Sequence, residues 1–149
     1  WSKNYFDVIE EIFLLLNKNK INIYIKDHPL IQSSIKMGSK KKYILIDKTI
    51  TAESLYINNL KNIIGVIGHA STSLISAVYF NIPSFDLTNL LQIPDAQKKL
   101  MLSYLEGTKI TTIDNISNLK DFNFNNETEL IDNSEKLWKI KLKNLLLKK

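Results

Sequence analysis

The stretch from Asn62 to Phe80, NIIGVIGHASTSLISAVYF, decides the fold class. Residues 62–68 form a continuous apolar run, which is typical of a β-strand buried on both faces. Small and hydroxyl residues follow at 69–73, and we expect them to cap a helix that ends near Phe80. A buried strand that leads through a short loop into a helix is the building unit of a parallel sheet.

Strands and helices alternate on both sides of this stretch. We predict strands at 21–25, 43–46, 62–68, 84–87 and 110–113. We predict helices at 2–17, 51–58, 71–80, 94–105 and 129–148, with one helical turn near 117–122. The first helix carries apolar residues at helical spacing, which we expect to face the core. These are Phe6, Ile9, Phe13 and Leu16. The alternation predicts an α/β fold, a Rossmann-like layered domain over residues 1–149 with a mostly parallel sheet.

Composition excludes several classes of protein. The chain has 149 residues, a normal length for one domain, and 44% of them are apolar, which is too many for a disordered chain. It contains no cysteine, so disulfides and thiolate chemistry are excluded. Its net charge is +5, but every basic residue is lysine, whereas proteins that read DNA sequence favour arginine. We therefore expect no nucleic-acid partner. The sequence shows no membrane-spanning run and no cleavable signal.

Three groups of polar residues follow predicted strands at their carboxyl ends, where ligands of parallel sheets bind. His28, in the segment Lys26-Asp27-His28-Pro29, can hydrogen-bond a phosphate or give it a proton. Glu53, near a helix start, can bind ribose hydroxyls. The segment Gly68–Ser73 can hold an anion with hydroxyls and backbone amides. Each group also has a simpler interpretation: a loop histidine, a glutamate that complements a helix dipole, and a plain helix cap.

Taken together, these groups resemble the carboxy-terminal half of bacterial GT-B sialyltransferases. A glutamate lies 25 residues after the histidine of the Lys-x-His-Pro segment, and a Ser-Thr pair lies 18 residues beyond it. The run Ile67–Ala77, followed by Asn81-Ile82-Pro83, is the most similar part. The resemblance covers about residues 21–90. It points to the lipooligosaccharide and capsule sialyltransferases of glycosyltransferase family 52 and their relatives.

The resemblance implies a role for each residue that matches the family's motifs. His28 would be the catalytic residue, acting as the acid toward the leaving CMP. Ser71 and Thr72 would hold the phosphate of the donor, CMP-sialic acid, and Glu53 would bind its ribose. Lys26 and Asp27 would lie near the cytosine. Pro29, Gly68 and Ser73 complete the candidate substrate-binding set.

The resemblance also implies what lies elsewhere in such an enzyme. In that family the general base lies in an Asp/Glu-Asp/Glu-Gly motif on an amino-terminal acceptor domain, and this sequence contains no such motif. It also lacks an Asp-x-Asp motif, so we expect neither a metal nor another cofactor. The chain begins at Trp1, and we interpret it as a shortened chain or the tail of a longer protein. We expect a cytoplasmic donor-binding domain that is inactive alone and acts on a surface glycan, lipooligosaccharide or capsule, bound by the other domain.

Several alternatives remain open at this point. The chain is alternatively the donor-binding half of another GT-B enzyme, such as a polysialyltransferase, a capsule glycosyltransferase, a polyol-phosphate transferase or an epimerase. It is alternatively a non-catalytic α/β signalling module. The basic amphipathic helix at 129–148 either packs on a core or contacts the inner membrane face peripherally. The lysines at 40–42 form a solvated turn or attract an acidic surface. A homodimer is a further alternative to a monomer.

Overall fold

The computed structural model describes residues 4–27 and 43–119. Within these residues the α-helices are α1 (Tyr5–Lys18), α2 (Ala52–Asn59), α3 (Thr72–Tyr79) and α4 (Asp95–Ser103). The strands are β1 (Tyr24–Lys26), β2 (Ile44–Ile46), β3 (Val66–Gly68), β4 (Ser84–Asp86) and β5 (Thr111–Thr112). Short 3₁₀ turns occupy Leu60–Asn62, Thr88–Leu90 and Ile116–Leu119. The predicted helix at 129–148 and the lysines at 40–42 lie outside the described residues.

All the strand pairs among the described residues are parallel, as the alternation of strands and helices predicts. In one ladder β1 pairs with β2, with Tyr24 opposite Ile44. In the other ladder the order is β3-β4-β5, with Val66 opposite Ser84 and Phe85 opposite Thr111. Helices α3 and α4 connect the strands of this second ladder, since each follows one strand and precedes the next. The predicted α/β class with a Rossmann-like layered arrangement is confirmed.

Helix α1 packs its apolar face against the main core, but the face differs in part from the predicted one. Phe13 and Leu16 are buried as expected, whereas Phe6 is 55% exposed. The centre of the buried face is Ile12, with Val8 and Leu15 beside it. Residues 12–16 are all apolar, so spacing alone leaves more than one face available. Packing against the strands and loops of the core selects among them. The buried members of this core are Val8, Ile12, Phe13, Leu15, Leu16, Ile23, Ile25, Phe85, Leu87, Leu91, Ile113, Ile116 and Leu119.

The strand predicted at 62–68 is shorter and less buried than the sequence indicates. Only Val66–Gly68 joins the ladder, and these three residues are half-buried. Asn62 ends a 3₁₀ turn, and Ile64 is 40% exposed. An apolar run indicates that its residues are buried on average, but it does not show which of them pair with a neighbouring strand. The prediction of a seven-residue strand buried on both faces is therefore wrong. Strand β1 is likewise displaced toward the carboxyl end of the predicted 21–25 segment.

The start of α1 is fixed to the loop that follows β4. The side-chain amide of Asn4 donates to the carbonyl of Leu90 at 2.8 Å, and its oxygen accepts from the amide of Gln92 at 2.8 Å. A smaller core cluster lies between α2 and α3 and contains Tyr56, Ala77, Phe80 and Ile82. None of the helices in the described parts of the chain has the length and apolar character needed to cross a membrane.

Candidate functional site

The loop between β3 and α3 is held in an unusual conformation by a buried carboxylate. Ala70 has a φ of +41°, in the left-handed region that non-glycine residues seldom adopt. Its amide donates to Oδ2 of Asp86 at 2.7 Å. The other oxygen of Asp86, Oδ1, accepts from the amide of Thr88 at 2.9 Å, and the Asp86 side chain is 0% exposed. Through its hydrogen bond with Ala70, Asp86 therefore holds this loop against the end of β4.

Helix α3 begins at a serine cap, as predicted. The Ser71 hydroxyl accepts from the amide of Ser73 at 3.2 Å and lies 2.7 Å from the Ser73 hydroxyl. Thr72, the first residue of the helix, is exposed. Within the described residues the amides of Ser71 and Thr72 take part in no hydrogen bond, whereas those of Ala70, Ser73 and Leu74 do. Two adjacent amides and an exposed hydroxyl thus meet at the start of α3.

Gly68 lies at the last position of β3, immediately before this loop. A Cβ built on it would meet Cγ and Cδ2 of Leu74 at 3.4 Å. A Cβ at this position would therefore be in ordinary van der Waals contact with the Leu74 side chain. The predicted role of Gly68 in ligand binding stays a prediction.

Glu53 lies in the first turn of α2 and contacts α3 through a residue that the sequence did not suggest. Its Oε1 accepts from the hydroxyl of Ser76 at 2.6 Å. This hydrogen bond is the main reason that the pKa of the exposed Glu53 carboxyl is lowered, and the charge of Lys26 adds a small effect in the same direction. Ser76 lies three residues after Ser73, so the i, i+3 spacing of the two serines was the available signal.

A second contact between the same helices passes through Tyr56. Its buried hydroxyl donates to the carbonyl of Ser73 at 3.1 Å. Burial raises the pKa of Tyr56 to about 12, and the charge of Glu53 acts in the same direction. Along α3, Tyr56 reaches the first turn and Glu53 reaches the second. The structure therefore places the Glu53 carboxylate beside Ser76, five residues after the Ser71 cap.

Lys26 and Asp27 lie at the carboxyl end of β1. The Lys26 ammonium donates to the Asp27 carbonyl at 3.3 Å, and Asp27 is buried. Asp27 also borders an open cleft of about 500 Å³, whose other lining residues belong to the end of β2 and the turn after it. His28 and Pro29, the remaining members of the predicted set, lie outside the described residues.

Two buried polar atoms near Asp86 have no hydrogen-bond partner among the described residues. They are Nε2 of His69 and Oγ1 of Thr88. Burial lowers the pKa of His69, and the charge of Asp86 opposes this shift. Sequence analysis assigned no role to His69 and did not single out Asp86 or Thr88. The available signal was one aspartate at the end of the otherwise uncharged strand segment Ser84–Leu87.

The fold is a Rossmann-like α/β domain with polar residues at the carboxyl ends of its parallel strands, and comparison with known proteins narrows this class. A sequence model of the alpha-2,8-polysialyltransferase (POLYST) family matches residues 2–88, more than half of the chain. The chain therefore belongs to this family. No curated protein and no solved structure matches the chain.

The family match bears on the sequence prediction directly. A sialyltransferase-type domain is confirmed, and polysialyltransferase was one of the alternatives left open. Membership of glycosyltransferase family 52 and assignment to the carboxy-terminal half stay predictions. The matched range contains every predicted site residue from Lys26 to Ser73, and it also contains Asp86 and Thr88.

Proposed function

We propose that this chain is the donor-binding part of a sialyltransferase and that it binds the CMP portion of CMP-sialic acid. The observation that carries the proposal is the pair of amides at Ser71 and Thr72, which have no hydrogen-bond partner within the described residues. They lie beside the exposed Thr72 at the start of α3. Amides at a helix start and the positive end of the helix dipole favour a phosphate there.

The donor phosphate would accept hydrogen bonds from these amides and from the hydroxyls of Ser71 and Thr72. When sialic acid leaves CMP, negative charge grows on the phosphate oxygens. Donors that are already in place stabilise this charge more strongly than they stabilise the intact donor, so they accelerate bond cleavage. The fixed conformation of the preceding loop supports this role, because donors that need no rearrangement lose less free energy on binding.

The other predicted residues extend the proposed site away from the phosphate. Glu53 would accept hydrogen bonds from ribose hydroxyls, and the hydrogen bond from Ser76 that lowers its pKa holds the carboxylate in place. Lys26 and Asp27 would lie near the cytosine at the end of β1. His28 would protonate the leaving CMP, which typically contributes about 10² to 10⁴ in rate for a general acid.

The acceptor is the finer part of the proposal. We infer that it is a surface glycan held by a second domain, which also supplies the general base. The family's description favours a growing α-2,8-linked sialic acid chain over a lipooligosaccharide as this glycan. Lipooligosaccharide and other capsule sugars stay as alternatives to be distinguished by acceptor assays.

Calorimetric titration of the 149-residue chain tests the proposal. We expect CMP to bind more tightly than UDP and cytidine, with no dependence on Mg²⁺, since the sequence has no Asp-x-Asp motif. Thr72→Ala should weaken CMP binding by roughly 10- to 150-fold, as expected for the loss of one hydrogen bond to a charged group. Thr108→Ala is the matched control. Its hydroxyl donates to the Leu105 carbonyl at 2.6 Å, before β5 and so at the opposite edge of the sheet.

Two results would contradict the proposal. One is tighter binding of UDP than of CMP, which would indicate a different nucleotide donor. The other is an equal loss of CMP affinity in Thr72→Ala and Thr108→Ala, which would place the phosphate away from α3.

A further inference from the structure

Asp86 is an ionisable residue in an interior position that the proposed chemistry does not use. It ends the central strand of the β3-β4-β5 ladder, and its side chain is 0% exposed. Removing a carboxylate from water costs free energy unless polar partners replace the water. Its two oxygens accept from the amides of Ala70 at 2.7 Å and Thr88 at 2.9 Å. One of these amides belongs to the loop that leads into α3.

We propose that Asp86 is a positioning residue for the donor phosphate, an inference that rests on the proposed function. Ala70 has a backbone conformation that is unfavourable for alanine, and its hydrogen bond to Asp86 holds it there. Ser71 follows Ala70 directly, so this bond sets the direction of the Ser71 and Thr72 amides. Because the Ala70 amide is directed to Asp86, it is also withdrawn from the ligand. The phosphate is thereby confined to the next two amides.

Charge alone would give Asp86 the opposite effect. A carboxylate near a bound phosphate repels it, so removing the charge would strengthen CMP binding. A positioning role requires that removing the charge weakens CMP binding. Asp86→Asn separates the two effects, because an asparagine has the same shape but presents a second N–H group to one of the two backbone amides. That amide loses its acceptor, so the side chain at position 86 no longer links the Ala70 loop to the backbone of Thr88.

Calorimetry with CMP and with cytidine tests the proposal. In Asp86→Asn we expect the dissociation constant of CMP to rise by about tenfold or more, the scale of one charge-assisted hydrogen bond. The affinity for cytidine, which lacks the phosphate, should change by less than about twofold. Thr88→Val is the matched control, since it keeps the backbone amide that Asp86 contacts and removes a hydroxyl without a partner among the described residues. It should bind CMP as the unchanged chain does.

Amide hydrogen exchange in the unchanged chain gives a second readout that needs no variant. The Ala70 amide should exchange at least roughly 100-fold more slowly than that of an unstructured peptide, because breaking its bond requires the loop to open. Exchange at the unstructured rate would overturn the proposal, even if Asp86→Asn failed to fold.

The binding results distinguish failure of this inference from failure of the proposed function. If the unchanged chain binds CMP and Asp86→Asn binds it equally well or more tightly, the positioning role is wrong and the proposed function stands. If Asp86→Asn loses CMP and cytidine affinity equally, Asp86 supports the fold in general and the positioning role is again wrong. If the unchanged chain does not discriminate CMP from cytidine, both proposals are wrong.

Discussion

The Tyr56 hydroxyl lies in the contact between α2 and α3 and donates a hydrogen bond to the backbone carbonyl of Ser73. A phenol in this position is stable only while it is neutral, because ionisation would place a negative charge in an interior site next to a carbonyl oxygen. The shift of its pKa from 10.0 to about 12 expresses this cost. At the scale of one residue, the contact therefore links the folding of these two helices to pH.

We expect the stability of the chain to fall as the pH rises between about 10 and about 12. In this range the unfolded state loses the Tyr56 proton and the folded state keeps it, so each step in pH favours unfolding. Tyr56→Phe should lower stability by about 1 kcal/mol at neutral pH, through the lost hydrogen bond, and should make the alkaline decline less steep. Urea unfolding at several pH values measures both effects.

Tyr104→Phe is the control for this experiment, since Tyr104 is 68% exposed. Its alkaline decline should match that of the unchanged chain. An equally steep decline in Tyr56→Phe would show that other groups, among them the partly buried Tyr5, account for the pH dependence.

The residues that the sequence could predict are those whose partners lie nearby in the chain. The Ser71 cap bonds Ser73, two residues away, so a local motif was enough to predict it. Asp86 reaches back 16 residues to Ala70, and Ser76 reaches back 23 residues to Glu53. Contacts between residues this far apart in the chain depend on how the sheet and the helices pack in the folded protein. The roles of Asp86 and Ser76 therefore could not be read from the sequence.

At the scale of one element, α2 and α3 begin in the same way. Thr51 accepts from the amide of Ser54 at 3.2 Å, and Ser71 accepts from the amide of Ser73 at 3.2 Å. In both helices a side-chain oxygen satisfies an amide that the helix itself leaves without a partner. The two helices thus offer a matched pair of caps, one at the proposed phosphate site and one outside it.

We expect Ser71→Ala and Thr51→Ala to lower the free energy of unfolding by similar amounts, about 1 kcal/mol each, because each removes one helix cap. Urea unfolding of the two variants measures this loss. A much larger loss in Ser71→Ala would show that the Ser71 and Ser73 hydroxyls stabilise the loop beyond the cap itself.

The sequence predicts which helices and strands exist better than it predicts where each of them begins and ends. The helix at 51–58 is found as Ala52–Asn59, and the one at 94–105 as Asp95–Ser103, because local start and stop signals mark their ends. Pro94 precedes the second of these helices, and Gly107, with a φ of +75°, follows it. Strand β3 has no such signals. Its length depends on how far β4 runs beside it, which is a property of the assembled sheet.

At the scale of the whole molecule, the sequence lacks the acidic motif that the resemblance associates with the general base. We therefore expect the 149-residue chain to bind CMP but not to transfer sialic acid. Incubation with CMP-sialic acid and an α-2,8-linked sialic acid acceptor, followed by chromatography of the labelled acceptor, should show no elongation. The positive control is a known polysialyltransferase under the same conditions. Elongation by the chain alone would show that its own residues provide a base.

The division of the strands into two ladders has a consequence for how a bound ligand would act on the molecule. Lys26 belongs to the β1–β2 ladder, whereas Ser71 follows a strand of the β3-β4-β5 ladder. Among the described strands, apolar packing rather than backbone hydrogen bonds joins the two ladders. Packing resists separation but permits small sliding motions, since it is not directional. A nucleotide that contacted both ladders would connect them directly, so its binding would restrict the sliding of one ladder against the other.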